Sequence, residues 1–598
     1  MDIIVFILLI LIPGYLLSRI IFEDLDGFLI PPISFVLGLL LLVLAALPSY
    51  IFSLTFLQSS AIILTYLGVL LLATLIKGNL TSVNWPKPNF NIALLLLLVF
   101  GILIIMFFIS PHFDGDALFH LGQIRKLAEN SPVSPTEAFF PIEKINPGYS
   151  YNIWYFAIAI VAALSKTDVV LVWSHLVFIL VPTSVLAFYS FALALFRDRT
   201  LAAISVIFYA FFIGFLANAW EFRIAPYPDQ VARHIVLYVS FFCFMQFAVF
   251  KERRYLYFTI LIGALLPMIH MYSWIHLLIS VSAFSIASYF LSDRRVLKMG
   301  IKVVLAILLL SAPYLLLKLQ NAGEVVGDVT LKRDALVLLD RIFIVNPFYG
   351  IYALLLFTIF ALVFLLYHYR RNLKSKIWLV FVASNAAASF LILYNPIAAP
   401  LVSKLITYTY FHRLGYLVYN ELIIAAFLVL IVFSTGDKFK LTPQLRSLFL
   451  ISSLSMIMLI PLVYNKTKET TVNEKEVSEL ISYIKTKVPK KSVIAADLWT
   501  SYRIPAYSNN YIVATFPSHM TANVNGAKRI SDLKIIFSPD TNYKQARRVL
   551  NSYNVSYVVV NNRPSPNDIF AVDKFEGKGY IRKLYSNGVY TLYFHKIK

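Results

Sequence analysis

Residues 150–164 read SYNIWYFAIAIVAAL, and whether this segment crosses a bilayer decides how the whole chain is threaded. At 15 residues it is short, since a helix needs ~20 apolar residues to span a ~30 Å hydrocarbon core. Tyr149, Tyr151, Trp154 and Tyr155 gather at its start, and such side chains settle at the membrane–water interface. The basic connections decide the matter. Lys251-Glu-Arg-Arg254 is one; Arg294, Arg295 and Lys298 are a second. Arg370, Arg371, Lys374 and Lys376 make a third, and Lys438, Lys440 and Arg446 a fourth. The positive-inside rule assigns all four to the cytoplasm, alternating with outer loops at 220–234, 318–350 and 395–416. If 150–164 crossed, the acidic stretch before it would share the cytoplasmic side with Arg197 and Arg199. Read as an interfacial or re-entrant helix, it leaves 110–168 as one outward loop.

The rest of the chain agrees with a membrane setting. Of its 598 residues 59% are apolar, and the mean hydropathy of +0.75 is far above that of a soluble globule. Candidate spans fall at 3–22, 29–50, 59–76, 92–109, 169–196, 200–219, 235–250, 255–270, 274–291, 299–317, 351–367, 377–394, 417–434 and 447–464. Ile3–Phe22 is too long for a signal peptide and lacks its basic start and small-residue cleavage site, so it reads as a retained span. The expected fold is an all-α polytopic membrane domain of about 14 spans plus interfacial helices, carrying a C-terminal extracytoplasmic α/β domain. Three parts follow: a three-span extension over 1–91, a membrane core over 92–465, and a soluble domain over 466–598. No fixed-period repeat is evident, unlike many transporters. The lone cysteine, Cys243, excludes an intrachain disulfide. Of the net charge of +21, residues 465–598 hold 21 Lys+Arg against 10 Asp+Glu. No basic–aromatic platform for single-stranded nucleic acid accompanies that charge, which suits anionic headgroups or phosphorylated lipids instead.

Beyond residue 465 the pattern changes. Asn473 with Glu476 marks a helix start, and Val477, Leu480, Ile481, Ile484 and Val488 share one helical face. Val493–Ala496 and Val555–Val560 read as buried strands. Ile581–Tyr585 and Val589–Phe594, around Asn587-Gly588, read as a hairpin with a type I′ turn.

Chemistry gathers at the ends of spans. Residues 110–124, SPHFDGDALFHLGQI, follow the uncharged run 92–109 and hold His112, Asp114, Asp116 and His120. Carboxylates at the hydrocarbon boundary are costly unless they pair, bind or reach water. Asp116 and His120, four apart, share a face if Gly115 begins a helix. With Asp114 and His112 they offer two oxygen and two nitrogen ligands, enough for a divalent cation such as Mg²⁺, Mn²⁺ or Zn²⁺; alternatively one carboxylate acts as a general base. The loop 219–234, AWEFRIAPYPDQVARH, adds Glu221, Arg223, Asp229, Arg233 and His234, with Glu221/Arg223 and Asp229/Arg233 as the ion pairs an ordinary loop would make. In YTYFHRLGYLVY, residues 408–419, His412 and Arg413 precede a span on the outer side, where an Arg fork suits a lipid phosphate. His270 and His276 stand at neighbouring span ends. Arg413, His412, Arg233 and His270 form the expected substrate-binding set.

A span ending in D-x-D-A-L-F-H-L-x-x-I, a large outer loop, then Arg197-Asp198-Arg199-Thr200 and another span resembles the GT-C glycosyltransferases. Asp116–His120–Leu121 looks like the first-loop motif of archaeal oligosaccharyltransferase catalytic subunits. The layout Leu195–Arg199, span, loop acid is similar to aminoarabinose and protein mannosyl transferases. The resemblance covers roughly residues 92–465. It implies an outward active site using a sugar on a polyprenyl phosphate or pyrophosphate, with inverting transfer to a glycan, lipid or protein. Asp116 or Asp114 would then be the base or metal ligand, Asp229 the second-loop acid, and Arg413 the donor-phosphate contact. In that frame 150–164 matches a non-spanning helix. Two departures stand out. Oligosaccharyltransferases carry Trp-Trp-Asp in the soluble domain, where this chain has Ala496-Asp497-Leu498-Trp499, which argues against sequon glycosylation; and the three N-terminal spans are extra. The competing readings are a lipid or solute carrier (a flippase), and a non-catalytic component of glycan assembly.

Overall fold

Eight helices long and apolar enough to cross a bilayer stand among the residues described in this computed structural model: 1–22, 25–77, 95–103, 113, 115–142, 145, 148–211, 220–291, 294–319, 335–338, 342–345, 352–399, 402, 412–438, 474–520, 524–563, 574–576, 579 and 581–597. They are Asp2–Ile21, Ile30–Ile51, Phe56–Lys77, Val169–Phe196, Pro228–Phe250, Met271–Phe290, Arg294–Lys318 and Arg413–Val432. Of the other expected spans, 447–464 lies outside the described residues, and 92–109, 200–219 and 351–367 do in part. The region 255–270 resolves into Arg253–Leu265 followed by a 3₁₀ turn, and 377–394 into the 17-residue helix Ile377–Leu393.

The first two spans meet backbone to backbone. A Cβ on Gly14 would lie 1.8 Å from the Ser34 carbonyl oxygen, and one on Gly38 would lie 2.0 Å from that of Ile10. Glycines permit this approach, which packs helices that gain nothing from hydrophobic burial against lipid. Gly14→Val is therefore expected to force the pair apart and cost about 1–3 kcal/mol of overpacking, read as a lower thermal transition of the detergent-solubilised protein.

The bundle has two unlike ends. At one, Arg199 pairs with Asp26 at 3.2 Å, Arg254 donates to the Ile21 carbonyl at 3.3 Å, and Lys77 donates to that of Ile20 at 2.9 Å. At the other, Asn152 donates to the Ile269 carbonyl at 2.9 Å and Trp154 to that of Pro226 at 2.6 Å.

Residues 150–164 form the 13-residue helix Ile153–Ser165, about 20 Å long at ~1.5 Å per residue. Both of its ends lie at the second end of the bundle. Asn152 caps its start there, while Asp168, just beyond its finish, bonds Arg125 and Lys485. The helix does not reach across. Ile153 through Ala162 are all buried, packed among the first two spans, Val169–Phe196 and Gly115–Glu129. Its aromatic start serves internal packing and a hydrogen bond to His120, and aromatic residues carry the same sequence signature in either role.

Strands β1 (Ala335–Leu338) and β2 (Ile342–Val345) pair antiparallel within the 318–350 region. The C-terminal domain is built on β3 (Val493–Ala495), β4 (Tyr511–Ile512), β5 (Val555–Asn561), β6 (Ile581–Ser586) and β7 (Tyr590–His595). Their order is β4-β3-β5-β7-β6, with β3 parallel to β4 and β5, and β7 antiparallel to β5 and β6. Helix Glu474–Lys487 buries Val477, Leu480, Ile481 and Ile484, with Val488 just beyond its end. At the β6–β7 turn only Gly588 is left-handed, at φ +84°, so the turn is not type I′, which needs positive φ at both central residues. Instead the Asn587 side-chain oxygen accepts from the N–H groups of Val589 at 3.3 Å and Tyr590 at 2.9 Å, a closure that Asn makes readily.

This domain docks on the helix Gly115–Glu129 and the residues that follow it. Ile512 N–H donates to the Phe139 carbonyl at 2.9 Å, extending the β4 edge. Arg125, 3% exposed, donates to the Ala506 carbonyl, Glu129 and Asp168, each at 2.7 Å. Lys490 and Lys485 of the domain reach the same two carboxylates, at 2.7 and 2.5 Å.

Candidate functional site

Gly115 begins the helix Gly115–Glu129, with Asp116 in its first turn, where the positive end of the helix dipole favours a carboxylate. Ala117, Leu118, Phe119, Leu121 and Ile124 anchor the helix in the core. That leaves Asp116, its side chain 59% exposed, at the opening and His120 one turn deeper. Asp116 Oδ1 lies 3.2 Å from His519 Nε2 of the C-terminal domain. Burial pushes the Asp116 carboxyl up, but the His519 hydrogen bond and the charges of His519, His120 and Arg413 outweigh it, holding it below the usual carboxylate value.

His120 Nδ1 meets the Tyr155 hydroxyl at 2.5 Å. The rings of Tyr149, Tyr155, Trp173 and Tyr227 surround it, with centroids 5.3–6.3 Å away. Burial in this aromatic box pushes its pKa down to about 4, against the pull of Asp116 and Asp229. The ring is therefore neutral at physiological pH, a polar contact rather than a cation.

Asp229 is the second residue of Pro228–Phe250, and Arg413 is the first of Arg413–Val432. They pair at 3.2 Å, with side chains 17% and 27% exposed. Gln230 Nε2 also donates to Asp229 Oδ2, at 3.3 Å. The expected Asp229/Arg233 pair is not made. Arg233 donates to His234 Nε2 at 2.9 Å and to Gln230 Oε1 at 3.0 Å, and lies over the Tyr416 ring at 4.4 Å. Asp229 is instead engaged by Arg413 and Gln230. Arg233 is buried beside the site rather than open to it.

His270 precedes Met271–Phe290 as its N-cap residue. Burial pushes its pKa down to about 4, and it feels the charges of Asp229, Arg413, His120 and Arg233. His276, a turn and a half further on, is buried with the Tyr419 hydroxyl 3.4 Å from its Nε2. His112, Asp114 and the side chains of Glu221 and His412 lie outside the described residues.

Asp116, His120, Asp229, His270 and Arg413 thus share one electrostatic neighbourhood, at the N-terminal ends of three spans and beneath the C-terminal domain. Helix N-termini and a guanidinium together suit an anion, and the nearby exposed carboxylate suits proton abstraction. Among the described residues no three His, Cys, Asp or Glu side chains gather as a metal site.

Sequence reasoning missed His519, which sits in the short turn Pro517–His519 about 400 residues from its partner and carries no local signal. It read Tyr155 only as an interface anchor. In the Ala496–Trp499 segment, Asp497 is buried and caps Leu498–Tyr507 by accepting from Thr500 N–H at 2.9 Å. Trp499 is 41% exposed and faces the start of the Gly115 helix.

No protein-family model matches the sequence, and no curated protein matches it. Among solved structures, the chain is similar to the crystal structure of the Archaeoglobus fulgidus oligosaccharyltransferase in complex with Zn and sulfate. The two share 13% identity over 78% of this chain and 68% of that one, with a TM-score of 0.46. At that distance no residue role is carried across.

Proposed function

We propose that the protein is a membrane glycosyltransferase moving a sugar from a polyprenyl-phosphate-linked donor to a glycan, lipid or protein acceptor at the outer face of the cell membrane. The observation that carries this reading is the convergence of Asp116, His120, Asp229, His270 and Arg413 from four separate stretches of chain. A phosphate leaving group departs well, so the protein must orient the reactants, neutralise developing phosphate charge and remove the acceptor proton. Arg413, held by Asp229 at the start of its span, supplies the charge. Asp116 takes the proton as the glycosidic bond to phosphate breaks and the new one forms. A divalent cation would draw on Asp116, His120 and Asp114; the described residues supply two of these donors, and no step is assigned to it.

An outward site is supported by charge. The helices that begin at Pro228 and Met271 end next to Lys251–Arg254 and Arg294–Arg295, so the positive-inside rule leaves their starts outside. A carrier would instead set ionisable groups along a path at mid-membrane depth, whereas this acid–arginine set stands at helix starts.

Protein reconstituted in vesicles with polyprenyl-phosphate sugars tests the reading. Wild type is expected to cleave the donor and label an acceptor. Arg413→Ala should raise the donor KM about ten- to a hundredfold, the worth of one charge-assisted bond of ~1.5–3 kcal/mol. Intact donor moved across the bilayer without cleavage would make the protein a carrier instead.

A further inference from the structure

We propose that His519 is the positioning residue of Asp116, so that the C-terminal domain completes the active site rather than merely covering it. This rests on the glycosyltransferase reading above. His519 Nε2 lies 3.2 Å from Asp116 Oδ1, and the buried Tyr502 hydroxyl bonds its Nδ1. In the neutral ring these two partners fix one tautomer. The Tyr502 O–H donates to Nδ1, and the hydrogen on Nε2 is left for the carboxylate.

The ring has little freedom to do otherwise. It stacks on Phe119 at a centroid distance of 4.2 Å and an angle of 10°, and Phe119 is itself fully buried and stacked on Phe139 at 5.0 Å. The His519 side chain is 10% exposed while that of Asp116 is 59% exposed. A chain of Tyr502, His519 and Asp116 therefore runs from the domain core to an open carboxylate. It holds one oxygen and leaves Oδ2 with no hydrogen-bond partner among the described residues. A carboxylate that is to meet an acceptor hydroxyl needs this arrangement, one oxygen anchored and the other presented.

Docking alone does not explain the contact. The domain is already joined to the Gly115–Glu129 helix and its loop through Arg125, Lys485, Lys490 and the Ile512–Phe139 backbone bond. None of those touches Asp116. Among the described residues, His519 is what ties the domain to the reacting group.

The test measures sugar transfer from a polyprenyl-phosphate donor by full-length wild type, His519→Ala, His519→Gln and the double variant Asp116→Asn with His519→Ala. His519→Ala is expected to lower kcat about 10- to 100-fold with both KM values within about twofold, the signature of a group that orients rather than binds. His519→Gln, whose amide can donate to the same oxygen, should recover a substantial part of that loss. The double variant should be no slower than Asp116→Asn, because His519 acts only through Asp116. Equal losses in the Ala and Gln variants with a lowered thermal transition would mean a structural role and overturn the inference. So would a kcat for His519→Ala within twofold of wild type. Wild type that transfers no sugar would overturn the glycosyltransferase reading itself, and this inference with it.

Discussion

Asp116→Asn is expected to lower the rate of sugar transfer about 10²–10⁴-fold, the range over which a positioned general base acts. The substitution is nearly isosteric, and its side-chain oxygen still accepts from His519 Nε2, so the stacked Phe119–His519 pair should survive. What is lost is the basic oxygen. The carboxyl lies below its ordinary range because His519, His120 and Arg413 outweigh the cost of its burial, so it is ionised throughout the neutral range and ready to accept a proton. Its depressed pKa also makes it a weak base, and the proton must pass on quickly once taken. Donor KM should change little, since Arg413 and Asp229 are untouched. Unchanged kcat in a folded Asp116→Asn protein would remove Asp116 from the chemistry.

Much of this site was legible because its members are charged groups in an apolar chain. Asp116, Asp229 and Arg413 stand out at span ends for the same reason that makes them costly there, and the four-residue step from Asp116 to His120 is a helical property that needs no tertiary knowledge. The misreadings have physical causes. Tyr155 at the head of a short apolar helix looks like an interface anchor, yet the helix is sunk among other helices and its hydroxyl meets His120. The Asp229/Arg233 pairing was read from local spacing, whereas Asp229 pairs with Arg413, 184 residues away in sequence. His519 was out of reach because a polar residue in a three-residue turn has no periodicity to give it away. Only the docking of two domains brings it to Asp116.

That docking turns on one side chain, and Arg125→Met is expected to weaken it by about 3 kcal/mol, the lower end of what breaking a buried ion pair costs. The guanidinium is 3% exposed and divides its hydrogens among Glu129, Asp168 and the Ala506 carbonyl. Methionine fills much of the space but leaves that carbonyl and two partly buried carboxylates short of a donor. The cost falls at the low end because Glu129 and Asp168, 22% and 24% exposed, keep Lys490 and Lys485. The acid response carries a definite sign. Burial pushes the Asp168 carboxyl up, but Arg125 and Lys485 pull it down to about 2, below its unfolded value of ~3.9. Its contribution is therefore fully present above about pH 4 and is lost as pH falls through about 2. Removing Arg125 raises that lower limit toward the unfolded value, so acid release of the domain should begin at a higher pH in the variant. Limited proteolysis of the full-length protein across pH 2–7 reads this directly, as earlier cleavage near the Lys485 helix. Since the same helix carries Arg125 and Asp116, about two and a half turns apart, loosening it should also cost transfer activity at neutral pH through the lost His519 contact. An unchanged proteolytic profile would show that the domain is held by its other contacts alone.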